Sequence, residues 1–211
     1  MTPKQEAYEA QANTIIKNLK KRNMEGYYFP DSQSCKEYIL NMMPKGSTIS
    51  NGGSMTNVDI GLMAEINSDQ YNFIDRMAPT TPEEQRECYS KIVMADYYFM
   101  STNAITIDGE LVNIDGAGNR VACLIHGPEY VMVVAGMNKV VATVEEGVHR
   151  VRNVATPANV KRLNKKTPCY EIGVCADCLS PDCICNQVVI TRRSGIAGRI
   201  KVFLIGEELG Y

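Results

Sequence analysis

The sequence predicts an α/β layered domain built on a mainly parallel sheet, because helix and strand signals alternate along most of its 211 residues. Three observations carry that reading. Thr2-Pro3-Lys4-Gln5 and Thr81-Pro82-Glu83-Glu84 are both helix starts, each with an N-cap hydroxyl, a proline at the first helical position and a Gln or Glu three residues on. Val131–Ala135 is an unbroken apolar run, as in a strand covered on both faces. Ala104–Ile107 and Leu111–Ile114 flank Asp108-Gly109, the turn chemistry of a tight antiparallel hairpin.

The first helix carries its apolar side on Ala7, Ala12, Ile15, Ile16 and Leu19. Tyr27-Tyr28-Phe29 before Pro30 reads as a short strand, and Cys35, Tyr38, Ile39, Met42 and Met43 recur at helical spacing up to Pro44. Thr48-Ile49-Ser50 is a brief strand entering Asn51-Gly52-Gly53-Ser54, and Thr56 is the expected cap of the helix that follows. The helix opened at Thr81 runs toward Ala95, and Tyr97–Ser101 is the next strand. Helical patterns resume near Val144, with Thr156-Pro157 opening a further helix; Val188–Thr191 and Ile200–Ile205 are the last strands. One domain over residues 1–211 is expected, with residues 169–185 as an inserted cysteine-rich loop.

Composition narrows the function. Hydrophobic residues make up 45% and charged residues 22%, the balance of a globular protein rather than a disordered one. No apolar run approaches the roughly 20 residues that span a bilayer. A net charge of -2 argues against a polyanion-binding surface, so neither nucleic acid nor membrane is an expected partner. The N-terminal stretch MTPKQEAYEAQANTIIKNLKKR is polar and charged, without the apolar core of a secretory leader, and a cytoplasmic setting is expected.

Five of the eight cysteines lie within seventeen residues: Cys169, Cys175, Cys178, Cys183 and Cys185. Such crowding marks either a disulfide framework in a small secreted domain or a metal or iron–sulfur site in a reduced protein, and the length and N-terminus favour the second. Cys175-x-x-Cys178 with Cys183-x-Cys185 would make two arms like a zinc knuckle. Cys169, Cys175, Cys178 and Cys185 would make a more open set suited to a cubane cluster, with Cys183 as alternate. Five thiols compete for four places.

The polar loops suggest a ligand site. Asn51-Gly52-Gly53-Ser54-Met55-Thr56 stands between a strand and a helix, where backbone amides approach an anion, and Gly52, Gly53, Ser54 and Thr56 are its candidates. The run is neither a Walker loop nor Gly-x-Gly-x-x-Gly. Ser101-Thr102-Asn103-Ala104 and Asn113–Arg120 gather donors, a carboxylate and a guanidinium; Asn103, Asp115, Asn119 and Arg120 are candidates there, Arg120 held either by Asp115 or by a ligand's carboxylate or phosphate through two parallel hydrogen bonds. Asn138 and Lys139 follow the buried-type strand at its C-terminal end. His126 and His149 have no spacing that pairs them with a nucleophile.

Ser50–Thr56, Ser101–Val121 and Gly136–Val141 together resemble the lactate-utilisation (LUD) domain family, over most of the chain. The resemblance implies a three-layer Rossmann-like sandwich like that of ribose-5-phosphate isomerase, glucosamine-6-phosphate deaminase and the CoA transferases. It also implies a link to bacterial oxidation of lactate to pyruvate beside iron–sulfur partners, in the manner of the short, stand-alone members with a C-terminal cysteine motif. Long members carry ferredoxin-like repeats with regular cysteine gaps of two, two and three residues. The gaps here are five, two, four and one, so those repeats are absent. The resemblance favours a [4Fe–4S] cluster over zinc. Two functions follow as expectations: an enzyme acting on a small hydroxy, oxo or phosphorylated acid, or a non-catalytic cluster- or zinc-holding subunit or sensor docked onto iron–sulfur oxidoreductase subunits. A homodimer is among the assemblies the sequence allows.

Overall fold

A computed structural model describes residues 2–211. In chain order the elements are α1 (Pro3–Lys21), β1 (Glu25–Phe29), α2 (Ser32–Met42), β2 (Thr48–Asn51), α3 (Met55–Asp59), α4 (Leu62–Ile66), β3 (Asn72–Phe73), α5 (Pro82–Ile92) and β4 (Tyr97–Met100). There follow β5 (Ala104–Thr106), β6 (Leu111–Asp115), α6 (Asn119–Ile125), β7 (Tyr130–Gly136), β8 (Val140–Val141), α7 (Val144–Arg150), α8 (Thr156–Leu163), α9 (Pro168–Ile172), β9 (Gln187–Thr191) and β10 (Ile200–Ile205).

Six strands form one sheet in the order β1-β10-β7-β4-β2-β3, every neighbouring pair parallel. Side chains alternate across a strand, so β7 and β10 each serve two cores. Val131, Val133, Ala135, Val202 and Leu204 pack with Ile15 and Leu19 of α1 and with Cys123 and Leu124 of α6. Met132, Val134, Phe203 and Ile205 pack with Cys35 and Ile39 of α2 and with Leu62 and Ile66 of α4. Helices therefore cover both faces, giving a three-layer α/β sandwich, and the continuous apolar runs are explained by burial on two sides.

The hairpin belongs to a second sheet. β8, β5, β6 and β9 pair in that order, with β6 antiparallel to both β5 and β9. β5 follows β4 after three residues and β8 follows β7 after three, so this small sheet grows from the C-terminal ends of the main one. Gly109 closes the hairpin at φ +85, a conformation costly for a residue with a Cβ. A third core of Ala104, Val112, Ile114, Val151 and Ala155 seals the sheet against the helical segment that follows α7.

The capping boxes form as read: Thr2 with Gln5 and Thr81 with Glu84. Two boundaries differ. The loop after β2 is capped by Ser54, whose hydroxyl accepts from the Asn57 amide, while Thr56 sits inside the helix. Thr156 does not open a separate helix: α7 and α8 are continuous through a π-helical turn at Val151–Ala155. Pro157 has no N–H for the carbonyl four residues back, and widening the preceding turn accommodates it. Arg199, buried, donates to the carbonyls of Cys123, Leu124 and Pro128, closing the C-terminal end of α6.

Candidate functional site

A cleft of about 290 Å³ opens where β2, β4 and β7 end and the second sheet begins. This is the carboxyl end of a parallel sheet, where chains leaving adjacent strands part and leave space for a ligand. Gly53, Ser54 and Met55 line it after β2, Ser101, Thr102 and Asn103 after β4, and Lys139 after β7. Asp115, Asn119 and Arg120 add the far wall. The π turn and α8 contribute Val151, Ala155, Thr156, Asn159 and Arg162; Arg76, from the segment between β3 and α5, and Tyr211 also line it. Seven of the sequence candidates thus meet here: Gly53, Ser54, Asn103, Asp115, Asn119, Arg120 and Lys139.

Gly52, Thr56 and Asn138 stand one layer behind. A Cβ on Gly52 would lie 3.0 Å from both Arg120 Cγ and the Tyr98 hydroxyl, so its lack of a side chain lets β2 run against the arginine. Thr56 is fully buried and accepts a hydrogen bond from Lys139. Asn138 exchanges hydrogen bonds with both backbone groups of Leu209 and fixes the C-terminal segment.

Of the two partners expected for Arg120, the geometry gives Asp115 and not a ligand. Its Nε donates to Asp115 Oδ2 at 2.9 Å; one terminal nitrogen donates to Ser101 O and Asn113 Oδ1, the other to Asn103 Oδ1 and Ile114 O. All five N–H groups are committed, and they tie the end of β4 to β5 and β6. Asp115 also accepts from the Gly118 amide. Arg120 is the clamp that shapes the cleft.

The open cations are residues that periodicity could not single out. Arg76 is half-buried and, among the described residues, makes no hydrogen bond or ion pair; one of its terminal nitrogens points at Gly53. Arg162 donates only to Asn159 Oδ1 and the Tyr211 hydroxyl. Both lie in unremarkable stretches of sequence, and only the fold carries them to the cleft.

Lys139 is buried, with Nζ donating to Thr56 Oγ1 at 2.8 Å and Ser101 Oγ at 3.0 Å. Burial, aided by the charges of Arg150 and Arg120, lowers its pKa to about 7; the Asp59 carboxylate opposes this weakly. Arg150 donates to the carbonyls of Asn138 and Asn103, holding the turn that presents the lysine. A lysine that is half neutral near pH 7 can accept a proton or attack a carbonyl carbon.

A family model, the LUD domain, matches residues 12–205. The chain belongs to the LUD domain family. Its fold is also similar to the crystal structure of a DUF162 family protein from Deinococcus radiodurans, with a TM-score of 0.52 and 11% identity over 94% of this chain and 98% of that one. No curated protein matches the chain.

In this LUD domain the cysteine segment lies against the outside of the cleft. Ile184 lines the cleft directly. Thr156, on the same wall, has its hydroxyl 3.5 Å from Cys185 Sγ, and Asn153 of the π turn accepts from the Cys175 amide. Arg152 pairs with Asp177 at 2.7 Å. The five thiols are free, Cys169 buried and the other four half-buried. Hydrogen bonds from Ser180 lower the Cys178 pKa, whereas desolvation raises that of Cys185. Among the described residues no three Cys, His, Asp or Glu side chains converge closely enough to hold a metal ion, so four-fold coordination requires the loop to tighten. No helix is long and apolar enough to cross a membrane among the described residues.

Proposed function

We propose that this LUD domain binds a small organic acid in the cleft, a hydroxy or oxo acid or a phosphorylated one, and acts on it there. One observation carries the reading. The cleft wall holds four cationic side chains, Arg76, Arg120, Arg162 and Lys139, against a single carboxylate, Asp115, which is consumed by Arg120. Among the described residues neither half-buried Arg76 nor exposed Arg162 has a carboxylate partner, and a partly desolvated cation is costly unless an anion joins it. A volume of about 290 Å³ suits a small acid better than a dinucleotide. Lys139, close to neutrality at the same wall, supplies the reactive group that favours an enzyme over a passive carrier.

Calorimetric titration with lactate, pyruvate and a phosphorylated three-carbon acid tests this. Arg76→Ala is expected to weaken the acid that binds by about tenfold or more, the worth of one charge-assisted hydrogen bond. Unchanged affinity in that variant, or no heat with any of the three acids, refutes the reading.

The cysteine loop is proposed to hold a [4Fe–4S] cluster through Cys169, Cys175, Cys178 and Cys185, with Cys183 as alternate ligand and zinc as the alternative metal. The donor set fits: thiolates suit both, and the lowered Cys178 pKa favours deprotonation. A cluster there would supply one-electron transfer beside the cleft; zinc would only brace the loop. A second reading rests on a separate observation. Leu179 is 99% exposed within the loop, with Ile172 and Val174 also exposed, and this apolar rim suits docking onto an iron–sulfur oxidoreductase subunit. Thiol ligands of this kind are at home in a reducing cytoplasm. Protein purified without oxygen is expected to contain iron and sulfide. Absence of both iron and zinc, with the five thiols freely alkylated in the native state, removes the assignment.

A further inference from the structure

We propose that Lys139 condenses with the carbonyl carbon of a 2-oxo acid held in the cleft, forming an imine. The proposal rests on the small-acid reading above and names the substrate class within it. Three features of the site point to an amine meeting a carbonyl.

The first is placement. Lys139 stands in the turn after β7, on the wall shared with Ser54 and Ser101, and no carboxylate touches its nitrogen. A structural buried lysine normally ends on an acidic partner, because a charge out of water needs compensation. Here its two partners are hydroxyls, which tolerate the neutral amine as acceptor or donor alike. The groups that face it are Arg150 from α7, Arg120 from α6 and, more weakly, Asp59 from α3, and the two guanidiniums disfavour its protonation.

The second is the company it keeps. A 2-oxo acid carries a carboxylate directly beside the carbonyl, and the cleft offers for it Arg76, which has no protein partner among the described residues, and Arg162, which is held only by the neutral Asn159 and Tyr211. The third is proton traffic. Thr56 Oγ1 lies 3.5 Å from Ser101 Oγ, and Ser101 in turn donates to Thr102 O, so Nζ sits at the head of a short hydroxyl chain.

The chemistry balances without an oxidant. Neutral Nζ attacks the carbonyl carbon, forming the C–N bond as the π pair moves to oxygen. That oxygen takes the proton released from nitrogen, by way of the Ser101 or Thr56 hydroxyl, and gives a carbinolamine. Protonation of the new hydroxyl expels water and leaves C=N. The resulting iminium draws electrons from the neighbouring carbon, the usual purpose of a lysine imine.

The test is reductive trapping on the intact chain with pyruvate and cyanoborohydride, read by peptide mass mapping, with lactate as the control that lacks a carbonyl. The expected result is a single adduct on the peptide carrying Lys139 with pyruvate and none with lactate. Its early yield should be about tenfold greater at pH 8 than at pH 6, following the neutral amine. Lys139→Met should abolish the adduct, and Arg76→Ala should reduce it while leaving the fold intact. If pyruvate binds by calorimetry but Lys139 is never modified, or if adducts scatter over other lysines and persist in Lys139→Met, the imine is overturned and the acid-binding reading survives. If no acid binds at all, both fall.

Discussion

Arg120→Met is expected to lower the unfolding free energy by about 3–5 kcal/mol, because it strands Asp115 and four further acceptors in the largely shielded wall of the cleft. Only 12% of the arginine side chain and 9% of the aspartate side chain are accessible to solvent, so water from the cleft can replace few of the lost bonds. The measurement is the midpoint and slope of urea unfolding by circular dichroism. Arg120→Lys should recover little of the loss. A lysine keeps the charge but has three N–H donors and no planar fork, while the native geometry uses five in fixed directions. A loss below about 1 kcal/mol would mean that the strand ends hold their positions without the clamp.

Lys139→Met is expected to have the opposite sign. The native lysine releases its proton near pH 7, against 10.5 for an unburied one. Below pH 7 native and unfolded forms both carry the proton, and the full burden of a buried charge is present. Between pH 7 and 10.5 the unfolded chain holds a proton that the native chain has shed, so wild-type stability rises with pH across that window. The depressed pKa corresponds to roughly 1.4 kcal/mol per unit, part of which Lys139→Met forfeits by leaving Thr56 and Ser101 without their donor. A net gain of about 2 kcal/mol is expected at pH 6, narrowing toward pH 10. Unfolding curves at both pH values check it, and a variant less stable than wild type at pH 6 would contradict it.

How far the sequence could be read depended on whether local chemistry or long-range assembly sets a feature. Helix starts at Thr2 and Thr81 were legible because a cap is settled within four residues. The apolar runs of β7 and β10 were legible because two covered faces leave no polar positions. The second sheet was not, since Gln187–Thr191 pairs with Leu111–Asp115 across more than seventy residues, and no local signal separates that sheet from the first. Cap placement failed at Thr56 because Ser54, two residues earlier, offers the same hydroxyl chemistry. In the cleft, the polar block Asn103–Arg120 was found as a group, and the Arg120–Asp115 pair only as one of two alternatives. Whether a guanidinium meets a ligand or five protein acceptors depends on where Ser101, Asn113 and Ile114 fall in space. Arg76 and Arg162 lie in segments without a motif, and their importance is created by folding alone.

The π turn at Val151–Ala155 carries one residue more than an α-helical turn, and in the regular helix beside it the chain's length is a functional variable. Each residue of a helix turns its successors by about 100° and advances them by about 1.5 Å. Removing one residue inside the turn would convert its wider bonds to ordinary α-helical ones and leave the flanks in phase, whereas removing one from α7 would swing everything beyond it by that same angle. Asn159 and Arg162 would leave the cleft, Thr156 would leave Cys185, and the sulfur-rich segment would lose its seat. A neighbouring substitution changes one contact; a deletion here re-indexes a whole wall. Among natural variants of this domain, insertions and deletions should therefore be tolerated in the loops on either side of the long helix and rare within its regular α-helical turns.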